Sequence, residues 1–169
     1  MSGSYGENIR VTVFGTSHGC AVGVTMTGLP AGERIELAPL RAFLARRAPG
    51  GALSTARRET DEPELLSGLT DGVTNGTPLT AILRNADARP QDYDALGKVP
   101  RPGHADFAAW AKYGDAYERA GGGQFSGRMT APLCLAGGVC LQLLARAGVS
   151  VRARAAEIAG ETDAAAMEA

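Results

Sequence analysis

Apolar and polar residues alternate from Ile9 to Phe14 and again from Val22 to Met26, the period-two signature of half-buried strands. The connection between them, Gly15-Thr16-Ser17-His18-Gly19, is short and framed by glycine. The pattern predicts an antiparallel pair with His18 displayed on its tight loop. Gly28-Leu29-Pro30-Ala31-Gly32 reads as a turn. Leu40, Phe43 and Leu44 then fall at helical spacing behind Pro39, a residue tolerated in a first helical turn, and that helix is expected to end at Arg46-Arg47-Ala48-Pro49-Gly50. From Gly50 to Glu64 the chain is polar and rich in Gly, Ser and Thr, which predicts a long loop carrying Arg57-Arg58.

Leu65 to Val73 and Leu79 to Leu83 are short apolar runs around Asn75-Gly76, a strong hairpin signal. Asn85 to Pro102 is expected to be mostly loop. Ala105 to Tyr113 has helical character, with Phe107, Trp110 and Ala111 on one side. After Gly121-Gly122-Gly123, Thr130-Ala131-Pro132 opens an apolar helix that Gly148 closes. Its leucines and valine face several directions, so burial on most sides is expected. Val149 to Ile158 is expected to begin another strand.

Composition narrows the picture. The chain has 169 residues, 44% of them apolar, which suits a single globular domain with a sizeable core. A net charge of −1 gives no reason to invoke nucleic acid or an anionic membrane. Fifteen arginines stand against two lysines; the guanidinium fork suits carboxylate and phosphate, although coding bias accounts for most of them. Cys20, Cys134 and Cys140 show neither metal-type spacing nor an even-numbered disulfide framework, and read as small buried residues of a reducing compartment. No segment has the roughly 18 consecutive apolar residues of a membrane span and no signal-type run opens the chain, so a cytoplasmic location is expected.

The chemistry concentrates in three segments. Both histidines lie in glycine-containing stretches, Gly15-Thr16-Ser17-His18-Gly19 and Arg101-Pro102-Gly103-His104-Ala105-Asp106. Each is either a proton-transfer group or a hydrogen-bonded turn residue. Asp106 either orients His104 or caps the helix beginning there. Gly121-Gly122-Gly123-Gln124-Phe125-Ser126-Gly127-Arg128 exposes backbone N–H groups ahead of a helix, which suits an anion or a cofactor's polar tail, but on chemistry alone a plain flexible turn is the favoured reading. It matches neither the nucleotide phosphate loop nor the dinucleotide fingerprint. Arg46-Arg47 would suit any helix C-terminus, Arg57-Arg58 reads equally as a solvated loop, and Ser17 beside His18 is no evidence of a nucleophile.

In order, Phe14-Gly-Thr-Ser-His-Gly19, Gly28-Leu-Pro-Ala-Gly32, Arg46-Arg-Ala-Pro-Gly50, Leu66-Ser-Gly68, Gly76-Thr77, Gln91-Asp-Tyr93, Arg101-Pro-Gly-His-Ala-Asp106 and Gly121-Gly-Gly123 resemble chorismate synthase from about Ile9 to Gly148. The resemblance implies an α+β fold, a sandwich of antiparallel sheets around helices, assembled as a homotetramer. It implies a lyase of aromatic amino-acid biosynthesis (the shikimate pathway) that removes phosphate and a hydrogen from 5-enolpyruvylshikimate 3-phosphate to give chorismate. Reduced FMN is required without net redox change, with NADPH a candidate reductant. By this analogy His18 assists the departing phosphate and His104 protonates the reduced flavin. Arg47 and Arg128 match substrate-site arginines, and Gln124, Phe125 and Ser126 fall where flavin-contacting residues lie.

Departures accompany the match. Thr16 stands where glutamate is usual, Gln124-Phe125-Ser126-Gly127 replaces Arg-Ser-Ser-Ala, and Gly51-Ala52-Leu53-Ser54 lacks a second substrate-site arginine, for which Arg57 is the candidate substitute. Members are roughly twice as long. Residues 1–169 are therefore expected to be one incomplete domain, the N-terminal half of a full enzyme, poorly stable and inactive alone. The rival expectations are a non-catalytic phosphate- or flavin-binding module and an interaction fragment pairing through the apolar helix.

Overall fold

The computed structural model describes residues 3–47, 59–86, 99–118, 120–158, 160 and 162. Strands β1 (Ser4–Tyr5), β2 (Arg10–Gly15), β3 (Ala21–Thr27), β4 (Pro63–Ser67) and β7 (Leu79–Arg84) form an antiparallel sheet in the order β1-β2-β3-β7-β4. Val11 on β2, Val22, Val24 and Met26 on β3, and Leu79, Ala81 and Leu83 on β7 are buried at alternate positions, so one face of the sheet is core. Val24 pairs with both Val13 and Ala81, and a one-residue slip would turn this apolar set to the opposite face. The opposite face carries hydroxyl pairs instead: Ser4 with Thr12 at 2.7 Å and Thr25 with Thr80 at 3.2 Å.

Helices α1 (Leu37–Ala45) and α3 (Thr130–Arg146) supply the other half of the core. Leu40 and Leu44 of α1 and Leu135, Ala136 and Val139 of α3 are buried, each leucine contributing roughly 1.5–3 kcal/mol. Gly138 permits the close approach of the helices, since a Cβ there would lie 2.5 Å from Leu40 Cδ1. Gln142 joins them as well: its side chain accepts from Glu36 N at 2.8 Å and donates to Glu36 O at 2.9 Å, at a helix start whose own side chain makes no cap. The expected α+β class, helices with antiparallel strands, is observed.

Four expectations change. The apolar helix α3 is buried along a stripe through Ala131, Leu135 and Val139 rather than on most sides, and Leu133 is exposed. Gly127–Arg146 is long and apolar enough to cross a membrane, but its buried stripe is taken up by the sheet and α1, as in a core helix. The run from Leu65 to Val73 breaks at Gly68, whose φ of +91° and contact with Leu79 Cα admit no side chain. Its remainder forms a ribbon, β5 (Leu69–Thr70) with β6 (Val73–Thr74), turning at Asp71-Gly72 rather than Asn75-Gly76. Val149 to Ile158 forms no continuous strand and is exposed, with a single β-bridge at Ile158. Cys20 is exposed rather than buried, and Cys134 and Cys140 are half-buried.

Candidate functional site

Between β2 and β3 the chain reverses as expected, and the loop carrying His18 is fixed from two sides. Ser17 is buried; its amide donates to Gly123 O at 3.3 Å and its hydroxyl approaches the carbonyls of Ala120 and Gly121 at 3.4 and 3.3 Å. The hydroxyl is therefore an anchor rather than a nucleophile. From the other side Asn85, just beyond β7, donates to Thr16 O at 3.0 Å and Gly19 O at 2.8 Å. Thr16 donates to Glu118 Oε1 at 3.0 Å, so a carboxylate lies beside the position where the resemblance leads one to expect a glutamate.

The triple glycine is the hub. Gly121, Gly122 and Gly123 have φ of +57°, +87° and +52°, conformations that cost any residue with a Cβ. A Cβ on Gly121 would meet the His18 ring 2.3 Å from Cδ2 and 2.4 Å from Nε2. One on Gly122 would lie 2.6 Å from both Cε1 and Nε2 of His104. Two histidines 86 positions apart thus pack on consecutive glycines, and the turn is a seat for both rings rather than a plain flexible link.

His104 precedes α2 (Asp106–Tyr113). Its Nδ1 lies 2.5 Å from Asp106 Oδ1 and 3.2 Å from Arg101 Nη2. The carboxylate contact decides the tautomer: an ionised carboxylate only accepts, and Arg101 Nη2 already has an acceptor in Asp106 Oδ1 at 3.0 Å. Nδ1 therefore carries a proton, and Nε2, facing Gly122, is left for proton exchange. The Arg101 guanidinium, bonded to Asp106 from Nε at 2.7 Å, holds that carboxyl far below the usual carboxylate range. Asp106 thus orients His104. Tyr117 donates to Gly122 O at 3.0 Å, and burial raises its phenol pKa; its ring meets Phe125 at a tilt of 55° with centroids 5.8 Å apart.

The two described candidate arginines meet on one acid. Asp61, with 1% of its side chain exposed, accepts from Arg47 Nη1 at 2.5 Å and from Arg128 Nη1. Arg128 is itself buried and donates from Nε to Asn85 Oδ1 at 3.0 Å and from Nη2 to Arg84 O at 3.3 Å. Arg47 is more open, 20% exposed, and donates from Nε to Thr130 Oγ1 at 3.2 Å. Arg57 lies outside the described residues. Asn85 therefore joins the His18 loop to the arginine pair, and Asp61 completes the link. Neither had a sequence signal: Asp61 sits in an unpatterned polar run, and Asn85 opens what reads as loop.

Beside the hub, on the side of β1 and β2, lies a cleft of about 590 Å³ lined by Phe14, Thr16, Tyr113, Tyr117, Gln124 and Phe125, among others. This size and its aromatic walls with a few polar groups are typical of small-molecule sites. Gln124 and Phe125 belong to it, whereas neither histidine lines it. Ser126 does not face it either; its hydroxyl accepts from Arg128 N at 3.2 Å and caps the turn that follows. A planar aromatic ligand suits these walls, and Gln124 and Phe125, which follow the glycine turn, bring that turn's end to the cleft. No metal-type cluster occurs among the described residues.

The family model for chorismate synthase matches residues 9–169. The chain is 46% identical to the chorismate synthase of Lancefieldella parvula over 96% of its own length and 43% of that protein. It is 45% identical to the enzyme of Aeropyrum pernix over 93% of this chain and 41% of that one. A crystal structure of chorismate synthase superposes with a TM-score of 0.58 and 23% identity, covering 84% of this chain and 36% of that chain, a likeness of fold. The chain spans less than half the length of these relatives.

Proposed function

This chain belongs to the chorismate synthase family, and from that premise we propose that it supplies the histidine and arginine part of a lyase site that converts 5-enolpyruvylshikimate 3-phosphate to chorismate. The observation that carries the reading is the seating of His18 and His104 on Gly121 and Gly122. In the reaction a C–O bond to phosphate and a C–H bond break, a carbon–carbon double bond forms, and inorganic phosphate and a proton leave, with no net oxidation.

His18 donates a proton or hydrogen bond to the departing phosphate. Histidine suits this because it exchanges protons near neutral pH. His104 exchanges a proton at Nε2, because Asp106 holds the one at Nδ1. Arg47 grips phosphate or carboxylate through its guanidinium. Reduced FMN, when bound, would supply transient electron density for phosphate loss without net redox change. Gln124 and Phe125 would hold it in the cleft, and Ser126 acts indirectly by capping the turn. NADPH as reductant, a homotetramer and a cytoplasmic setting complete the proposal.

Anaerobic incubation with reduced FMN and 5-enolpyruvylshikimate 3-phosphate tests it. Equal amounts of phosphate and chorismate are expected from the protein as its cells make it. Binding of both flavin and substrate with no phosphate release would overturn the reading in favour of a binding module.

A further inference from the structure

Arg128 and Arg47 share a single acid, but on unequal terms. Arg128 is 4% exposed and directs its three donating nitrogens to Asp61, Asn85 and the Arg84 carbonyl. Arg47 is 20% exposed, with Nη1 on Asp61 and Nε on Thr130. Among the described residues Arg47 Nη2 meets no acceptor. One carboxylate against two guanidiniums leaves one net positive charge, and the burial pattern puts it at the open fork of Arg47. The acid itself occupies an unusual backbone state, φ +48°, one of two non-glycine residues with positive φ among those described. Asp and Asn tolerate that region where most residues do not.

We propose that Asp61 is a positioning residue for anion recognition: by giving one carboxylate oxygen to Arg128 and the other to Arg47, it makes Arg128 a buried support and aims Arg47 at a phosphate or carboxylate ligand. The proposal rests on the anion-site reading of Arg47 given above. Because Asn85 also bonds the Thr16 and Gly19 carbonyls, the same buried pair fixes the aimed guanidinium relative to the His18 loop. Arg128 is thereby assigned a different part from the substrate contact that its place in the sequence suggests.

Inorganic phosphate is the probe, titrated calorimetrically into the protein, its Asp61→Asn, Arg47→Gln and Thr130→Val variants, and the Asp61→Asn/Arg47→Gln double variant. Asn keeps the shape and the left-handed backbone but turns a donating NH2 toward one of the two guanidiniums, so it cannot hold both as Asp61 does. Arg47→Gln is expected to weaken phosphate binding about tenfold or more, as for loss of a charge-assisted hydrogen bond. Asp61→Asn should weaken it comparably, and in the Arg47→Gln background should add nothing. Thr130→Val, which removes the second anchor of Arg47, should weaken binding by a smaller factor and serves in place of Asp61→Asn if that variant does not fold. A loss on Asp61→Asn that persists undiminished in the Arg47→Gln background would mean a merely structural role and overturn the inference. So would unchanged affinity in Asp61→Asn, or in Thr130→Val where it stands in; either leaves the function reading intact if Arg47→Gln still weakens binding. Phosphate binding that ignores Arg47 altogether would overturn both.

Discussion

Alanine substitution along the glycine turn separates backbone strain from displacement of the histidines. Gly121 and Gly122 have ψ of 17° and 2° at φ of +57° and +87°, within or near the left-handed region, where a Cβ costs about 1–2 kcal/mol. For a chain of this length that corresponds to a fall in Tm of roughly 2–8 °C. The new Cβ would also meet the far end of a side chain, the His18 ring for Gly121 and the His104 ring for Gly122, and a ring end can swing aside. Gly123 differs: its ψ of −123° lies outside the left-handed region, and its Cβ would stand 2.4 Å from the Glu118 backbone carbonyl, which cannot swing aside. Gly123→Ala should therefore lower Tm more than either neighbour. Since the chain has only two histidines, their Cε1–H NMR signals report each ring separately. Gly121→Ala is expected to move the His18 signal and spare that of His104, and Gly122→Ala the reverse. Equal movement of both signals in each variant, or a Gly123→Ala no less stable than the others, would refute this account of the turn.

Three further outcomes follow from the packing and charge. Asp106 titrates below the usual carboxylate range because Arg101 bonds to it; a depressed folded-state value gives stability that is present above the unfolded pKa of about 4 and lost only as pH falls through the depressed value. Asp106→Asn should therefore cost about 1–3 kcal/mol at a pH of about 7 and still do so at about 5 in urea titrations, and a gap already closed at the lower pH would contradict it. Adjacent helix glycines should respond with opposite signs: Gly137→Ala, whose Cβ would meet nothing nearer than 4.0 Å, should gain up to about 1 kcal/mol of helix propensity. Gly138→Val, pressed onto Leu40, should lose about 1–3 kcal/mol or more, both read from Tm. Alkylation followed by mass spectrometry should modify exposed Cys20 first, with Cys140 slow because burial pushes its thiol pKa up.

What the sequence conveys depends on how local the cause is. The β2–β3 pair, α1, α2 and α3 follow from periodicity and turn residues within a few positions. The hairpin tip did not, because two good turn signals stand four residues apart. Asp71-Gly72 takes positive φ at both positions, the type that closes a two-residue hairpin, while the exposed Asn75 bonds locally, its side chain accepting from Thr77 N at 3.1 Å. Phe107 and Trp110 lie on an exposed side of α2 and Ala109 is its buried residue, since an apolar side chain does not by itself choose what it packs against. The site was legible where a motif carries the chemistry, as in His18, His104 and the glycines. Asp61 and Asn85 were hidden because their partners are distant in the chain: Arg128 lies 67 positions from one and 43 from the other.

The measurement that bears most directly on the two-histidine site is the anaerobic single-turnover rate of chorismate formation, with reduced FMN, in the unaltered protein and in His18→Ala and His104→Ala. A proton-transfer role for each ring predicts that either substitution slows the step by about 10²–10⁴-fold while flavin and substrate still bind. A rate left unchanged by either substitution would contradict it.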